Sequence, residues 1–165
     1  NFIAGFFFNM EGSLFDGMYV TTDMISLQKN ILNLGVYLIS LLFSGWFMKT
    51  EHLAEFFILM LAAVLGMFFM ISRGNLLMFY LSLELATIPV AAMANFDLDK
   101  KVSSEAAMKM ILSSAFSSGI LLFGISLVYG ASGTITFAEM PALINNSPLV
   151  ILAFVFMFTA FAFKL

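Results

Sequence analysis

The chain has no cysteine, three prolines, one histidine and one tryptophan in 165 residues. Zero cysteines exclude disulfides, thiolate metal sites and cysteine-ligated iron–sulfur clusters within these residues. Charge is scarce too. Only 10% of the residues are charged, against about 25% in soluble domains. The formal net charge of −3 is small, and no basic patch signals a nucleic-acid partner. The first residues have neither the Arg-rich, acid-poor pattern of a mitochondrial transit peptide nor the basic start of a signal peptide.

What is abundant is apolar. The chain is 62% hydrophobic with a mean hydropathy of +1.04, where soluble domains are about 45–50% apolar. The apolar residues lack period-2 alternation and fall in runs near the length that crosses a bilayer. These features predict an all-α integral membrane protein with about five transmembrane helices, near 23–48, 53–72, 75–95, 104–129 and 148–165. Residues 23–165 form that single helical domain. Residues 1–22 read as the tail of an earlier span (Phe2–Phe8) and an outer connection that turns near Asp16-Gly17. Asn1 is not a start methionine, and the run Leu149–Leu165 stops without a polar exit. The chain therefore reads as a fragment, truncated at its C-terminus.

The segments between the runs carry ordinary helix and membrane signals. Trp46 and Lys49 stand where the first span should leave the bilayer. Glu51 and Glu55 suit the start of a helix, and Arg73-Gly74-Asn75 reads as a tight turn. Ser103 or Ser104 is the expected N-cap of the fourth span. A short surface helix is expected near Phe137–Ile144, and Ser147-Pro148 matches a cap followed by proline at the first helical position. Lys49, Lys100, Lys101 and Lys109 fall near one membrane face, and Lys29 and Arg73 near the other. The lysine-rich side, with loops 49–52 and 96–103, is expected to be cytoplasmic or matrix-side.

One stretch departs from this pattern. Residues 74–95, GNLLMFYLSLELATIPVAAMAN, are apolar all round except for Glu84 near the middle and Pro89 five residues on. A charged residue at the bilayer centre costs roughly 2.5–3.5 kcal/mol or more, and such residues are functional by default. Pro89 has no N–H for the carbonyl of Leu85, so a helix break or weakening is expected one turn after the acid. Thr87 could satisfy part of the freed backbone. A buried acid beside a loosened turn suits proton handling; a purely structural pair with a cation is the plainer alternative.

Lys164 and Lys109 complete the candidate proton-pathway set. Lys164 lies late in an apolar run with no other charge, and a lysine deprived of water can hold or release a proton near neutrality. Lys109 follows Glu105 by four residues, which also fits an ordinary helix-surface pair. His52 reads as a surface histidine. Glu84 lies about 14 Å along its span and Lys164 about 24 Å along its own, which leaves a direct pair open. In the fourth span, Ser113, Ser114, Ala115, Ser117, Ser118 and Gly119 allow close helix approach, with a hydrated path as the alternative. No metal site and no catalytic residue is expected.

At these residues the chain resembles a known family. The run LLMFYLSLELATIPVAAMANF, then SSEAAMKMILSSAFSSGILLFGISLVYGASGT, then TAFAFKL, is similar to the antiporter-like subunits of respiratory complex I, nearest the N-type. The resemblance covers roughly residues 52–165. It implies that Glu84 matches the acid of the family's fifth helix, Lys164 the lysine of a discontinuous seventh helix, and Lys109 a charged position of the sixth. It also implies part of a five-helix inverted repeat that translocates protons for an NADH:quinone oxidoreductase. The redox groups (quinone, FMN and iron–sulfur clusters) would then belong to partner subunits, with no cofactor on this chain. The implied partners are neighbouring membrane subunits, antiporter-like ones included, and lipid. The implied location is the bacterial plasma membrane, with an organelle inner membrane as alternative. A subunit of a multisubunit cation/proton antiporter would carry the same glutamate and lysine, and a purely structural helical subunit would need neither.

Overall fold

The computed structural model describes residues 11–42, 45, 52–96, 100–143 and 147–164. The expected Phe2–Phe8 tail, Trp46, Lys49, Glu51, Asp97, Asp99 and Leu165 lie outside the described residues, as does most of loop 49–52.

The long elements are helices: α1 (Asp23–Leu42), α2 (Leu53–Ile71), α3 (Leu76–Ala94) and α4 (Lys101–Ser132). Each of these four is long and apolar enough to cross a membrane. A one-turn helix, α5 (Met140–Leu143), precedes α6 (Pro148–Lys164), an apolar helix of 17 residues that falls short of that length. Many large apolar side chains, among them Ile31, Leu38, Ile58, Leu112 and Phe158, face outward. An outer surface of this kind is at home in lipid or against other membrane helices.

The expected outer connection contains a structure the sequence reading did not foresee. Strands β1 (Gly12–Leu14) and β2 (Tyr19–Thr21) form an antiparallel hairpin. Phe15, Asp16 and Gly17 turn it with φ of 54°, 54° and 80°, which places the turn at the expected Asp16-Gly17. The hairpin is docked through its backbone: Val20 N donates to Ser72 O at 2.8 Å and Gly74 N to Met18 O at 2.8 Å. On its other side, the 72–75 turn accepts from Phe137 N at Gly74 O, 3.1 Å, while Leu76 N donates to Ile135 O at 2.9 Å. Three connections are thereby stitched into one layer at the hairpin end of the bundle. Gly74 is required there, because a Cβ would collide with the Gly17 carbonyl. Lys29 on α1 holds the hairpin from beneath, donating to the Tyr19 hydroxyl at 2.7 Å. Burial pushes the Tyr19 phenol up, but the hydrogen bond and charge of Lys29, together with the Ser72 and Thr21 hydroxyls, outweigh it and leave Tyr19 below its ordinary range.

Caps fix the helix starts. Asn75 Oδ1 accepts from Met78 N at 2.7 Å at the head of α3. At the head of α6, Ser147 O accepts from Ile151 N at 3.1 Å, which makes Pro148 the first helical residue. The fourth span corrects the expectation. It starts at Lys101, capped by the backbone at Lys100, and neither Ser103 nor Ser104 is its N-cap. Ser103 Oγ instead donates to Ala94 O at 2.7 Å, where it satisfies an acceptor at the end of α3. The helix ends at Gly133, whose φ of 73° is the left-handed geometry that favours glycine.

Two close helix approaches hold the bundle. A Cβ on Gly66 of α2 would meet the backbone of Leu85 at 2.7 Å and of Ala86 at 2.8 Å on α3. A Cβ on Gly124 of α4 would meet Met157 Cγ at 2.8 Å and Ala153 O at 3.1 Å on α6. Leu76, Leu121, Ile125, Val128, Ala153, Met157 and Ala160 form the buried core beside this second seam. Small residues at such seams let helices pack where lipid supplies no hydrophobic drive.

Gly66→Val should therefore destabilise the protein by about 1–3 kcal/mol through overpacking. Gly119→Ala, where a Cβ meets nothing within 4 Å, should leave stability near wild type. Thermal unfolding in detergent checks the pair.

Candidate functional site

Glu84 and Lys164 meet. Lys164 Nζ lies 2.8 Å from Glu84 Oε1, with side chains 12% and 22% exposed respectively. The sequence left this contact open because it placed the two residues about 10 Å apart along their helices. The register of the helices removes that gap. Phe116 meets Phe163 edge-on at 5.5 Å, and Phe123 meets Phe156 at 5.2 Å. Seven residues forward on α4 thus match seven back on α6, so the two run antiparallel in step. Because α4 continues to Ser132, α6 can begin at that level. Phe79, near the start of α3, meets Phe161, near the end of α6, at 5.8 Å. The start of α6 therefore lies about 15 Å beyond that of α3, on the hairpin side, and Lys164 arrives level with Glu84.

A third helix completes the site. Ser118 of α4, 4% exposed, donates its hydroxyl to the same Glu84 Oε1. The sequence reading grouped Ser118 with the small packing residues and missed this bond. Its signal was weak: a serine at the level of the acid, inside a stripe of serines that mostly bond to their own helix. Three helices thus converge on one carboxylate, an arrangement suited to charge-assisted hydrogen bonding. At an effective dielectric near 20, unit charges 2.8 Å apart attract by roughly 6 kcal/mol before desolvation is counted. That attraction is set against the cost of taking both groups out of water.

Pro89 does not break α3. The helix runs unbroken from Leu76 to Ala94 with Pro89 buried inside it. Thr87 Oγ1 donates to Glu84 O at 3.4 Å and not to the Leu85 carbonyl that proline leaves free. The loss is thus one hydrogen bond, small enough for the neighbouring turns to carry the helix on.

Lys109 stands apart from the pair. It bonds Glu105 Oε1 at 2.6 Å with both side chains mostly exposed, nine residues and about 13 Å along α4 from Ser118. His52 lies 3.3 Å from Glu55, also exposed. These two residues flank a cavity of about 630 Å³ between α2, α3 and α4, which Ala91, Asn95, Ser104, Ala107 and Ile111 also line. Among the described residues no group of three His, Cys, Asp or Glu side chains converges as a metal site would.

With this geometry in view, comparison with known proteins gives the class. The model of a transmembrane family of NADH:quinone oxidoreductases and Mrp antiporters matches residues 73–165. That is more than half of the chain, and the protein belongs to this family. NADH-quinone oxidoreductase subunit N of Phocaeicola vulgatus is 49% identical over 158 residues, 94% of this chain and 34% of the relative. Subunit N of Azobacteroides pseudotrichonymphae is 40% identical over 162 residues, 96% of this chain and 34% of the relative. The chain spans about a third of the length of these relatives. A chain of respiratory complex I from Thermus thermophilus superposes with a TM-score of 0.77 at 25% identity, over 99% of this chain and 35% of its own. A chain of an archaeal membrane-bound sulfane sulfur reductase shares the fold, with a TM-score of 0.66 at 23% identity over 85% of this chain and 27% of its own.

The pair makes a thermodynamic prediction. Glu84→Gln and Lys164→Met should each destabilise the protein, and the double variant should be less damaged than the two singles predict, with a coupling of about 1–3 kcal/mol. Lys109→Ala should cost less than about 0.5 kcal/mol, as expected of an exposed i,i+4 pair. Thermal unfolding of the four variants measures both.

Proposed function

We propose that this chain is part of a proton-translocating membrane subunit of an NADH:quinone oxidoreductase, and that Glu84 and Lys164 are its switching proton carriers. The observation that carries the reading is the 2.8 Å contact between them on two apolar helices. A half-buried carboxylate in hydrogen-bond contact with a lysine is electrostatically coupled to it. When Glu84 takes up a proton, Lys164 loses its counter-charge and is driven to release its own. When Glu84 is ionised, Lys164 is held as the ammonium. Redox chemistry in partner subunits would act by shifting that balance.

The rest of the reading extends the family resemblance seen in the sequence. Quinone, FMN and iron–sulfur clusters belong on partner subunits, and the neighbours in the membrane are further antiporter-like subunits. The relatives named above are bacterial proteins, which favours the plasma membrane of a bacterium. The lysine-rich end, with loops 49–52 and 96–103, then faces the cytoplasm. Lys109, at that end of α4, would pass protons toward the interior, and the proline turn after Glu84 would give the helix room to adjust. One observation supports a second reading: the matching family also takes in Mrp antiporters. A cation/proton antiporter would use the same pair to exchange a cation for protons. Quinone-dependent turnover supports the first reading, and sodium-dependent proton movement without quinone supports the second.

Glu84→Gln keeps the side-chain volume and removes both charge and proton site. In the assembled complex it should cut redox-driven proton pumping about tenfold or more, with Glu84→Asp retaining part of it. Fluorescence-quenching assays in proteoliposomes give the answer, and full pumping by Glu84→Gln would rule the carrier role out.

A further inference from the structure

Of the eight serines of α4, four mid-helix ones, at residues 113, 117, 118 and 126, do not behave alike. Ser113, Ser117 and Ser126 donate to the carbonyls of Met110, Ser114 and Phe123, three residues back on their own helix. This local bond is what a serine inside a helix does by default. Ser118 alone of the four sends its proton to another helix, to Glu84 Oε1. Lys164 Nζ occupies the same oxygen. Glu84 Oε2 has no hydrogen-bond partner among the described residues. The two donors come from different helices and crowd one oxygen, so the two oxygens of the carboxylate are not equivalent.

We infer that Ser118 is a positioning residue for Glu84, which fixes the carboxylate so that Oε1 stays bound to its donors and Oε2 is the oxygen that takes and returns the proton. The inference rests on the carrier role proposed for Glu84. A carboxylic acid carries its proton on one oxygen, and the oxygen already accepting two hydrogen bonds is the poorer place for it. A hydrated proton reaching the site forms the new O–H bond at Oε2 and leaves water behind. Ser118 and Lys164 keep their bonds to Oε1 until Lys164 gives up its own proton. Without the serine the carboxylate can rotate about its last torsion, which is broad and roughly two-fold, and either oxygen can face the lysine. The surroundings contain few other charges that could do this work. Tyr80 lies one turn before Glu84 on α3. The titratable residues of α2 and α4 are Glu55, Glu105, Lys109, Lys101 and Tyr129, at least nine residues along the helix from Gly66 or Ser118, which pack at this level.

The test uses Ser118→Ala, Ser118→Thr and Ser118→Cys in the full-length subunit within the assembled complex. Pumping is read in proteoliposomes, and infrared difference spectra follow the carboxyl C=O band that Glu84→Gln removes. Loss of one hydrogen bond to a charged group corresponds to an effect of about tenfold or more. Ser118→Ala should lower pumping by about that factor and shift the Glu84 band, Ser118→Thr should restore both, and Ser118→Cys, a weak donor of similar size, should fall between. If Ser118→Ala fails to assemble, the ordering of the threonine and cysteine variants decides. Wild-type pumping with an unshifted band in Ser118→Ala, or equal behaviour of threonine and cysteine, would overturn the inference. If Glu84→Gln itself pumps normally, the carrier reading fails first; if it is inactive while Ser118→Ala is normal, only the role of Ser118 falls.

Discussion

A carboxylate on an apolar helix must find partners inside the bundle, and the packing of this protein is arranged so that Glu84 does. Its partners come from two other helices, Lys164 on α6 and Ser118 on α4. Bringing them to one level needs the antiparallel step of α4 and α6, which Gly124 permits by letting the helices touch Ala153 and Met157. It also needs α6 to begin well beyond the start of α3, which the length of α4 allows. Gly66 seats α2 directly against the backbone next to Glu84, at Leu85 and Ala86. The small residues of the sequence are thus placed where the charged pair requires close helices.

The site's charged members were legible in the sequence because the bilayer makes them expensive. One acid and one lysine in apolar runs are visible without any structure, and the run lengths alone give the helices. What the sequence hid depends on register. Pairing Glu84 with Lys164 required knowing how far α6 slides relative to α3, and no local pattern encodes that. Ser118 was hidden for a different reason: in a stripe of small residues, packing serines and bonding serines look the same until the partner is known. The start of α4 was misread because Ser103 resembles a cap, yet its hydroxyl serves the end of α3. The hairpin was invisible because its strands have three residues each and are held by backbone bonds to the 72–74 turn, which carry no side-chain signature. Pro89 looked like a break, but within a packed helix it removes a single bond.

The hairpin end and the charged pair are linked through the chain itself. The 72–75 turn that seats the hairpin also caps α3 through Asn75, nine residues before Glu84, and the 134–137 segment that borders it follows closely on α4. Membership in the NADH:quinone oxidoreductase and Mrp antiporter family gives this arrangement its chemical setting. The carrier role proposed for the pair is electrostatic in kind: two groups of opposite charge 2.8 Å apart respond strongly to each other.

The central claim is that Lys164 releases a proton and is not simply a fixed counter-ion for Glu84. Arginine keeps the positive charge and can bond the carboxylate, but it does not deprotonate within a protein. Proton pumping per quinone reduced by the assembled complex carrying Lys164→Arg tests the claim most directly. The account predicts a complex that assembles and folds, with pumping through this subunit lost. Wild-type pumping with arginine at position 164 would contradict it and leave the pair as a structural charge.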